Sequence, residues 1–343
     1  MKKILVSRFS AMGDVAMIVP VLKNVLEQNP DVELTVISRP FFAPFFKNIP
    51  RLFFKPVNLK KEYKGVSGIY KLAQELKKEH FDAYADLHHV LRTQILRTFL
   101  TFSISSIASI DKGRKEKKAL VQKNHKNKIA LKNTFERYAD VFRTLGFTVS
   151  LNPILHQEKH PLNSDLQKRI LFDSTKKHLG IAPFAQHKGK MYPFKKIQSI
   201  VKKLAQNSHL QIYLFGGGEK EKRLLDEIAQ CYTNSINLIG KITLEEELQL
   251  ISHLDLMLSM DSANMHMASL VGTPVIPFWG ATHPYAGFMG FGQSVKNSIQ
   301  REDLNCRPCS VYGNKPCWRG DWACLEVDES IFIEKINQMI NDT

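Results

Sequence analysis

The sequence predicts an α/β protein built from two doubly wound, parallel-sheet domains. Short apolar runs suited to buried strands alternate with amphipathic helical stretches along nearly the whole chain. A polar, proline-bearing segment at Val149–Asn163 interrupts that alternation near the middle. The length of 343 residues suits two domains of ordinary size. The expected domains are residues 1–155 and 156–343, with the final helix returning toward the first.

The first domain opens on KKILVSRF as a strand. MKKILVSRF is basic and then apolar, like the start of a signal peptide, but Arg8, Gly13 and Asp14 break the apolar stretch early. SAMGD is a turn, and Asp14 sits where the N-cap of the helix VAMIVPVLKNVLEQN belongs. VELTVIS is the second strand, FFAPFFKNI a short helix, and Leu52–Val57 a third strand. GIYKLAQELKKEH is an amphipathic helix with Ile69, Leu72 and Leu76 on one face. FDAYADLHHV, LRTQILRTFLTF and SIASID follow as strand, helix and strand. NTFERYADVFRTLGF closes the domain as a helix with Gly146 as its C-cap.

The second domain repeats the pattern. A helix around Asp165–Asp173 precedes the strand KHLGIAPF, the loop AQHKGKMYP, and a helix starting at Pro193. QIYLFGGGEKEKRLLDEIAQC reads as strand, glycine loop and helix. Gly216-Gly217-Gly218 is not G-x-G-x-x-G and is a weak dinucleotide fingerprint. NLIGKITLEEELQLISHL gives strand, loop and helix. LMLSM is a buried strand, and Asp261, Ser262 and Asn264 supply the cap and turn chemistry for a helix starting near Ala263–His266. Gly272-Thr273-Pro274 stops that helix before the strand VIPFW. SIFIEKINQMI is the last helix.

Charge is unevenly placed. Residues 1–150 hold 27 Lys/Arg and 13 Asp/Glu, whereas residues 151–343 hold 21 and 20. A basic half joined to a neutral half suggests that one half meets a polyanion such as nucleic acid, an anionic membrane surface or a phosphorylated acceptor. The densest run, residues 112–132, carries nine Lys/Arg and one acid. Such runs are commonly solvated loops; the functional reading is an acceptor-binding arm on the basic domain. No run of 18 or more apolar residues suggests a transmembrane helix. Cys306, Cys309, Cys317 and Cys324 form C-x2-C-x7-C-x6-C. This spacing is compatible with structural zinc but is not a standard ribbon, and reduced packing cysteines are the favoured alternative.

The run Asp261–Pro284 reads D-S-x-x-x-H-x-A-x-x-x-G-T-P-V-x-x-x-x-G-x-T-x-P. It resembles the C-terminal signature of glycosyltransferase family 9, the heptosyltransferase family. Ser10-x-x-Gly13-Asp14-Val15 and Lys190-Met191-Tyr192-Pro193 resemble two further motifs of that family, the second with Tyr for Trp. The resemblance covers nearly the whole chain. It implies a GT-B architecture: two facing Rossmann-like domains with substrates in the cleft between them. It also implies Asp14 as the catalytic base and Lys190 on the donor diphosphate, with Lys188 as an alternative. Glu219 would lie near the donor ribose, and the Lys241–Ile242 backbone near adenine. Asp261, Ser262, Ala263, Asn264 and His266 would bind donor sugar and phosphates. Acceptor contacts would come from His88 and Arg92, where two histidines replace the usual glycine-containing turn, and from Lys112, Arg114, Lys115, Lys117 and Lys118.

Glycosyl transfer needs a base for the acceptor hydroxyl and a positive group for the leaving diphosphate. The chain contains no D-x-D for a metal, so Lys190 and the N–H groups near Ser262–Asn264 are expected to take that role, with no cofactor. One base opposing one leaving group predicts inversion. The resemblance implies as partners a nucleotide-sugar, ADP-heptose, and an anionic glycolipid of the lipopolysaccharide core at the inner face of the cytoplasmic membrane, with no specific nucleic acid. The alternatives are another nucleotide-sugar donor, or a non-catalytic protein using its basic half to bind a polyanion such as nucleic acid.

Overall fold

The structure is a computed structural model that describes residues 1–123 and 128–341. Two compact units divide the chain. The first comprises Met1–Gly113 and Lys132–Asn152, and the second Arg114–Leu131 and Pro153–Thr343.

The first unit runs β1 (Lys2–Ser7), α1 (Met12–Gln28), β2 (Val32–Ser38), β3 (Leu52–Pro56), α2 (Gly65–Lys77), β4 (Ala83–Asp86), α3 (Leu91–Leu100) and β5 (Ser106–Ser109). The chain then leaves for α4 (Arg114–Leu120), which belongs to the second unit, and returns for α5 (Thr134–Thr144). The sheet is parallel throughout, in the order β3-β2-β1-β4-β5. Strand order therefore reverses between β1 and β4, whose register places Ser7 beside Asp86. Leu5, Ile37, Ile69, Leu72, Leu76, Tyr84 and Leu96 join one buried cluster, the face that the spacing of α2 anticipates.

The second unit runs α6 (Ser164–Arg169), β6 (Lys177–Ala182), α7 (Phe194–Leu204), β7 (Leu210–Leu214), α8 (Gly218–Ala229), β8 (Ser235–Asn237), α9 (Leu244–Ile251), β9 (Leu256–Met260), α10 (Ala263–Leu270), β10 (Val275–Trp279), β11 (Ile299–Gln300) and α11 (Glu329–Asn341). Its parallel sheet has the order β11-β10-β9-β6-β7-β8, which is the Rossmann order, with the reversal between β6 and β9. Strands β6, β7, β9 and β10 are buried almost throughout, as their continuous apolar runs require.

Three expectations need correction. Helix α1 starts at Met12 with Ala11 as its N-cap, so Asp14 lies at the third helical position and not at the cap. Its carboxylate still serves the helix end, accepting from the Ala11 N–H at 3.1 Å. Helix α11, expected to return to the first domain, packs on α7 and β9 within the second unit. Its stripe of Phe332, Ile336 and Ile340 fills the core there, with the Phe332 ring 4.5 Å from that of Tyr192. Most of the basic run, expected as an arm of the first domain, belongs to the second unit, where Arg114–Leu120 forms α4. Lys117 is buried with its ammonium 4.2 Å from the Phe288 ring centroid, and the Leu131 N–H donates to the Tyr285 carbonyl at 2.9 Å. An amphipathic turn with Leu120 buried gains more from packing than from full solvation. Residues 124–127 of the run lie outside the described residues.

Candidate active site

In a doubly wound sheet, ligands bind beyond the carboxyl ends of the strands where strand order reverses. Each unit carries its predicted chemistry at that place.

In the first unit the reversal lies between β1 and β4. The turn after β1 delivers Arg8, Ser10 and Asp14, and the turn after β4 delivers His88 and His89. Arg8 Nη2 pairs with Asp14 Oδ2 at 2.6 Å, and Arg8 Nη1 donates to the Leu87 carbonyl at 2.7 Å. The guanidinium is nearly buried while the Asp14 side chain keeps 31% exposure, so the carboxylate is held in place and still reaches solvent. Burial opposes the Arg8 charge, but Tyr138 and Asp14 outweigh it and keep its pKa above the ordinary value. Asp86 is fully buried. Its Oδ1 accepts from the backbone N–H groups of His88 at 3.0 Å and His89 at 2.8 Å, which folds the turn back over the strand end.

His88 is buried beside this group, with Nε2 3.3 Å from Ser10 Oγ. Burial, with Arg8 and Lys112 adding, pushes its pKa from 6.5 to about 3, so the ring is neutral. The unfolded chain takes up a proton near pH 6.5, whereas the folded state resists it down to about 3, so stability falls as pH drops through that window. His88→Gln should remove this loss. Denaturant melts should show wild type losing stability relative to the variant from pH 6.5 downward, and parallel curves would refute the burial account.

In the second unit the reversal lies between β6 and β9. The loop after β6 carries Lys188, Gly189 and Lys190, and β9 ends at Asp261, followed by α10. Lys190 Nζ meets Asp261 Oδ2 at 2.9 Å, with side-chain exposures of 16% and 3%. Lys188 is turned away, its ammonium 5.0 Å from the Trp322 ring centroid. The loop tolerates no side chain at Gly189, where a Cβ would fall 2.9 Å from the Gly313 carbonyl oxygen. Tyr192 anchors the loop from below, fully buried and donating its hydroxyl to the Val327 carbonyl at 2.6 Å. Ser262 is the extended N-cap of α10 and makes no side-chain cap, leaving the first-turn N–H groups of Ala263 and Asn264 for an anion. His266 is buried one turn further along.

The other residues expected at the donor follow the neighbouring strands β7 and β8. Glu219 is exposed in the first turn of α8. Lys241 is exposed and Ile242 half-buried in the loop after β8. Sequence reasoning missed the residues that brace these loops. Glu221 accepts from the Gly217 N–H at 2.8 Å and closes the glycine turn. Arg169 donates to the Lys241 carbonyl at 2.5 Å and pairs with Glu246. Arg307, buried with its pKa lowered by desolvation, ties together the carbonyls of Trp279, Gly280, Thr282 and Arg301. Glu247 accepts from Asn264 Nδ2 at 3.2 Å, and burial pushes its carboxyl up to about 7. For Arg169, Arg307 and Glu247 nothing in spacing marks the role, because most of their partners lie on other elements or well apart in sequence.

The predicted acceptor residues are not one group. His88 and Arg92 sit in the first unit, as does half-buried Lys112. Arg114, Lys115, Lys117 and Lys118 lie on α4 in the second, and of these Lys117 is buried while the other three are exposed. The cysteines are free thiols. Burial and neighbouring Cys309 push the Cys324 thiol up to about 12. Among the described residues no group of three His, Cys, Asp or Glu side chains is arranged to hold a metal ion, and no helix is long and apolar enough to cross a membrane.

The model of glycosyltransferase family 9 (heptosyltransferase) matches residues 69–316. The lipopolysaccharide core heptosyltransferase OpsX of Haemophilus influenzae is 24% identical over 82% of this chain and 80% of its own length. Lipopolysaccharide heptosyltransferase 1 of Campylobacter coli is 24% identical over 99% of both. The solved structure of the Escherichia coli ADP-heptose lps heptosyltransferase II superposes over 100% of this chain and 99% of its own, with a TM-score of 0.71 at 16% identity. The two Rossmann-like units are those of a GT-B fold.

Proposed function

Because the chain belongs to glycosyltransferase family 9 and is a glycosyltransferase of the heptosyl-transferring kind, we propose that it moves heptose from ADP-heptose to the core of lipopolysaccharide. The donor is taken from the name of the Escherichia coli structural neighbour, and the acceptor from the names of the curated relatives. The observation that carries the reading is the Lys190–Asp261 pair at 2.9 Å, set where the β6–β9 reversal meets the start of α10. A cation and a set of first-turn N–H groups suit a diphosphate, and a buried carboxylate suits sugar hydroxyls.

In the proposed reaction Asp14 takes the proton of the acceptor hydroxyl. The acceptor oxygen bonds to the anomeric carbon as the carbon–oxygen bond to the diphosphate breaks, and ADP leaves with both electrons of that bond. One displacement inverts the anomeric centre. Lys190 and the α10 N–H groups neutralise the leaving charge without a divalent ion. Arg8 aims the Asp14 carboxylate, and neutral His88 with Ser10 borders it. Glu219 and the Lys241–Ile242 backbone would hold the ribose and adenine, while Asp261, Ser262, Ala263, Asn264 and His266 would hold sugar and phosphates. Exposed Arg114, Lys115 and Lys118, with Arg92 and Lys112, would meet the anionic acceptor at the cytoplasmic membrane surface. Cys306, Cys309, Cys317 and Cys324 serve as reduced packing groups in this reading.

ADP should raise the melting temperature of the protein, and EDTA should leave that rise unchanged. A rise that appears only with added Mg²⁺ would overturn the metal-free part of the reading, and no rise at any ADP concentration would overturn the donor assignment.

A further inference from the structure

Helices α9 and α10 pack on each other in the second unit, and a side-chain hydrogen bond joins them beside the candidate donor site. Glu247 Oε1 accepts from Asn264 Nδ2 at 3.2 Å. Both partners stand on fixed elements. The Thr243–Glu246 capping box sets the start of α9, with the Thr243 N–H donating to Glu246 Oε2 at 2.8 Å, and Leu244, Leu248 and Ile251 are buried along that helix. Asn264 holds the second position of α10, after the uncapped Ser262. It therefore sits in the turn whose N–H groups are open to an anion.

The chemistry of the two groups fixes which way the amide points. An ionised carboxylate only accepts hydrogen bonds, whereas a primary amide has a donor end and an acceptor end. Glu247 takes the donor end, which leaves Asn264 Oδ1. That oxygen makes no hydrogen bond among the described residues, and the residue is half-buried. An acceptor held there suits a hydroxyl group and not a phosphate, whose oxygens are acceptors themselves. Burial pushes the Glu247 carboxyl up to about 7, and the Asn264 N–H opposes it. Once protonated, Glu247 gains an O–H donor that can take Oδ1 and turn the amide round. The other titratable groups on the two helices are Glu245 and Glu246 of α9 and His266 of α10. Glu246 is committed to Arg169 and the Thr243 cap, and Asp261 and Lys190 pair with each other at the end of β9.

We propose that Glu247 is a positioning residue that clamps the Asn264 amide so that Oδ1 accepts a hydroxyl of the transferred sugar. This inference deepens the donor half of the proposed function and rests on it. Asp261 and Asn264 then both offer acceptors to the sugar, while the N–H groups at the start of α10 take the diphosphate.

Binding of ADP, ADP-heptose and ADP-glucose to the full chain can be measured by calorimetry without acceptor, independently of turnover, with a thermal melt to check that each variant is folded. The ratio of the ADP to the ADP-heptose dissociation constant isolates the sugar, because effects on the diphosphate cancel in it. Asn264→Ala should cut this ratio about five- to tenfold, the scale of one lost hydrogen bond. Glu247→Gln keeps the shape but offers a donor as well as an acceptor, and should cut the ratio part of the way. The double variant should be no worse than Asn264→Ala, since Glu247 acts through Asn264. In wild type the ratio should rise from about pH 6 to about pH 8 as Glu247 ionises, and it should stay flat in Glu247→Gln. Losses that fall equally on ADP and ADP-heptose, additive losses in the double variant, or a flat wild-type ratio would overturn the proposal and leave Glu247 as a tie between two helices. A wild type that prefers ADP-glucose to ADP-heptose, with the same variant pattern, would keep the clamp and overturn heptose as the sugar. A wild type that binds neither ADP nor an ADP-sugar would overturn the donor reading and the clamp together.

Discussion

Asp14→Asn should bind ADP as wild type does and lose about 10²–10⁴ in turnover, the usual cost of removing a general base. Asn preserves the shape and can still accept from the Ala11 N–H, but it cannot take a proton from the acceptor. The structure adds a stability cost that a simple helix cap would not carry. Asp14 is the carboxylate partner of Arg8 at 2.6 Å, and the Arg8 side chain is only 8% exposed. Replacing that charge-assisted contact with a neutral amide should cost about 1–3 kcal/mol. A thermal melt of the variant therefore belongs beside the kinetics. Loss of turnover with ADP affinity intact and modest destabilisation supports the base. Retention of most of the transfer activity would rule the assignment out.

Lys190→Ala should lower both donor affinity and turnover, by about 2–4 kcal/mol in transition-state terms, as for loss of one preorganised group facing developing charge. It should also destabilise the free protein, because Asp261 is almost fully buried and would lose its cation. The two effects separate in a pair of variants. Lys190→Met combined with Asp261→Asn removes both charges and should recover much of the stability of Lys190→Ala while remaining inactive. Lys188→Ala should be mild, since Lys188 stacks on Trp322 and does not face Asp261. A damaging Lys188→Ala with a silent Lys190→Ala would reverse the assignment of the two lysines.

The alternation of strands and helices, the two-domain division and the family were legible in the sequence because each rests on local pattern. Continuous apolar runs such as LMLSM suit strands buried on both faces, and the stripe of Ile69, Leu72 and Leu76 suits one side of a helix. The glycines, prolines and cap residues of Asp261–Pro284 specify a strand, a turn and a helix start within a short span. The family resemblance marked the lysine loop and favoured Lys190, with Lys188 as the alternative, and the structure sets Lys190 against Asp261. Local pattern misplaced α11 and α4, since an amphipathic segment records that it has an apolar face but not which surface will cover it. It placed the strand after α8 too late, at NLIG where the structure has Ser235–Asn237, and it passed over β11, because strands of two or three residues carry too little periodicity.

Tertiary structure alone decided which charges meet. Arg8 finds Asp14 across the turn after β1, whereas Lys190 finds Asp261 71 positions away because parallel pairing sets the ends of β6 and β9 side by side. The Asp86 cap on His88 and His89, the Arg307 brace and the Glu247–Asn264 contact arise in the same way. Sequence determined the elements and the chemistry available at their ends, since those depend on neighbours a few residues apart. Which side chains become partners, and which are left to await a ligand, depended on strand order and register, which bring distant residues within hydrogen-bond reach.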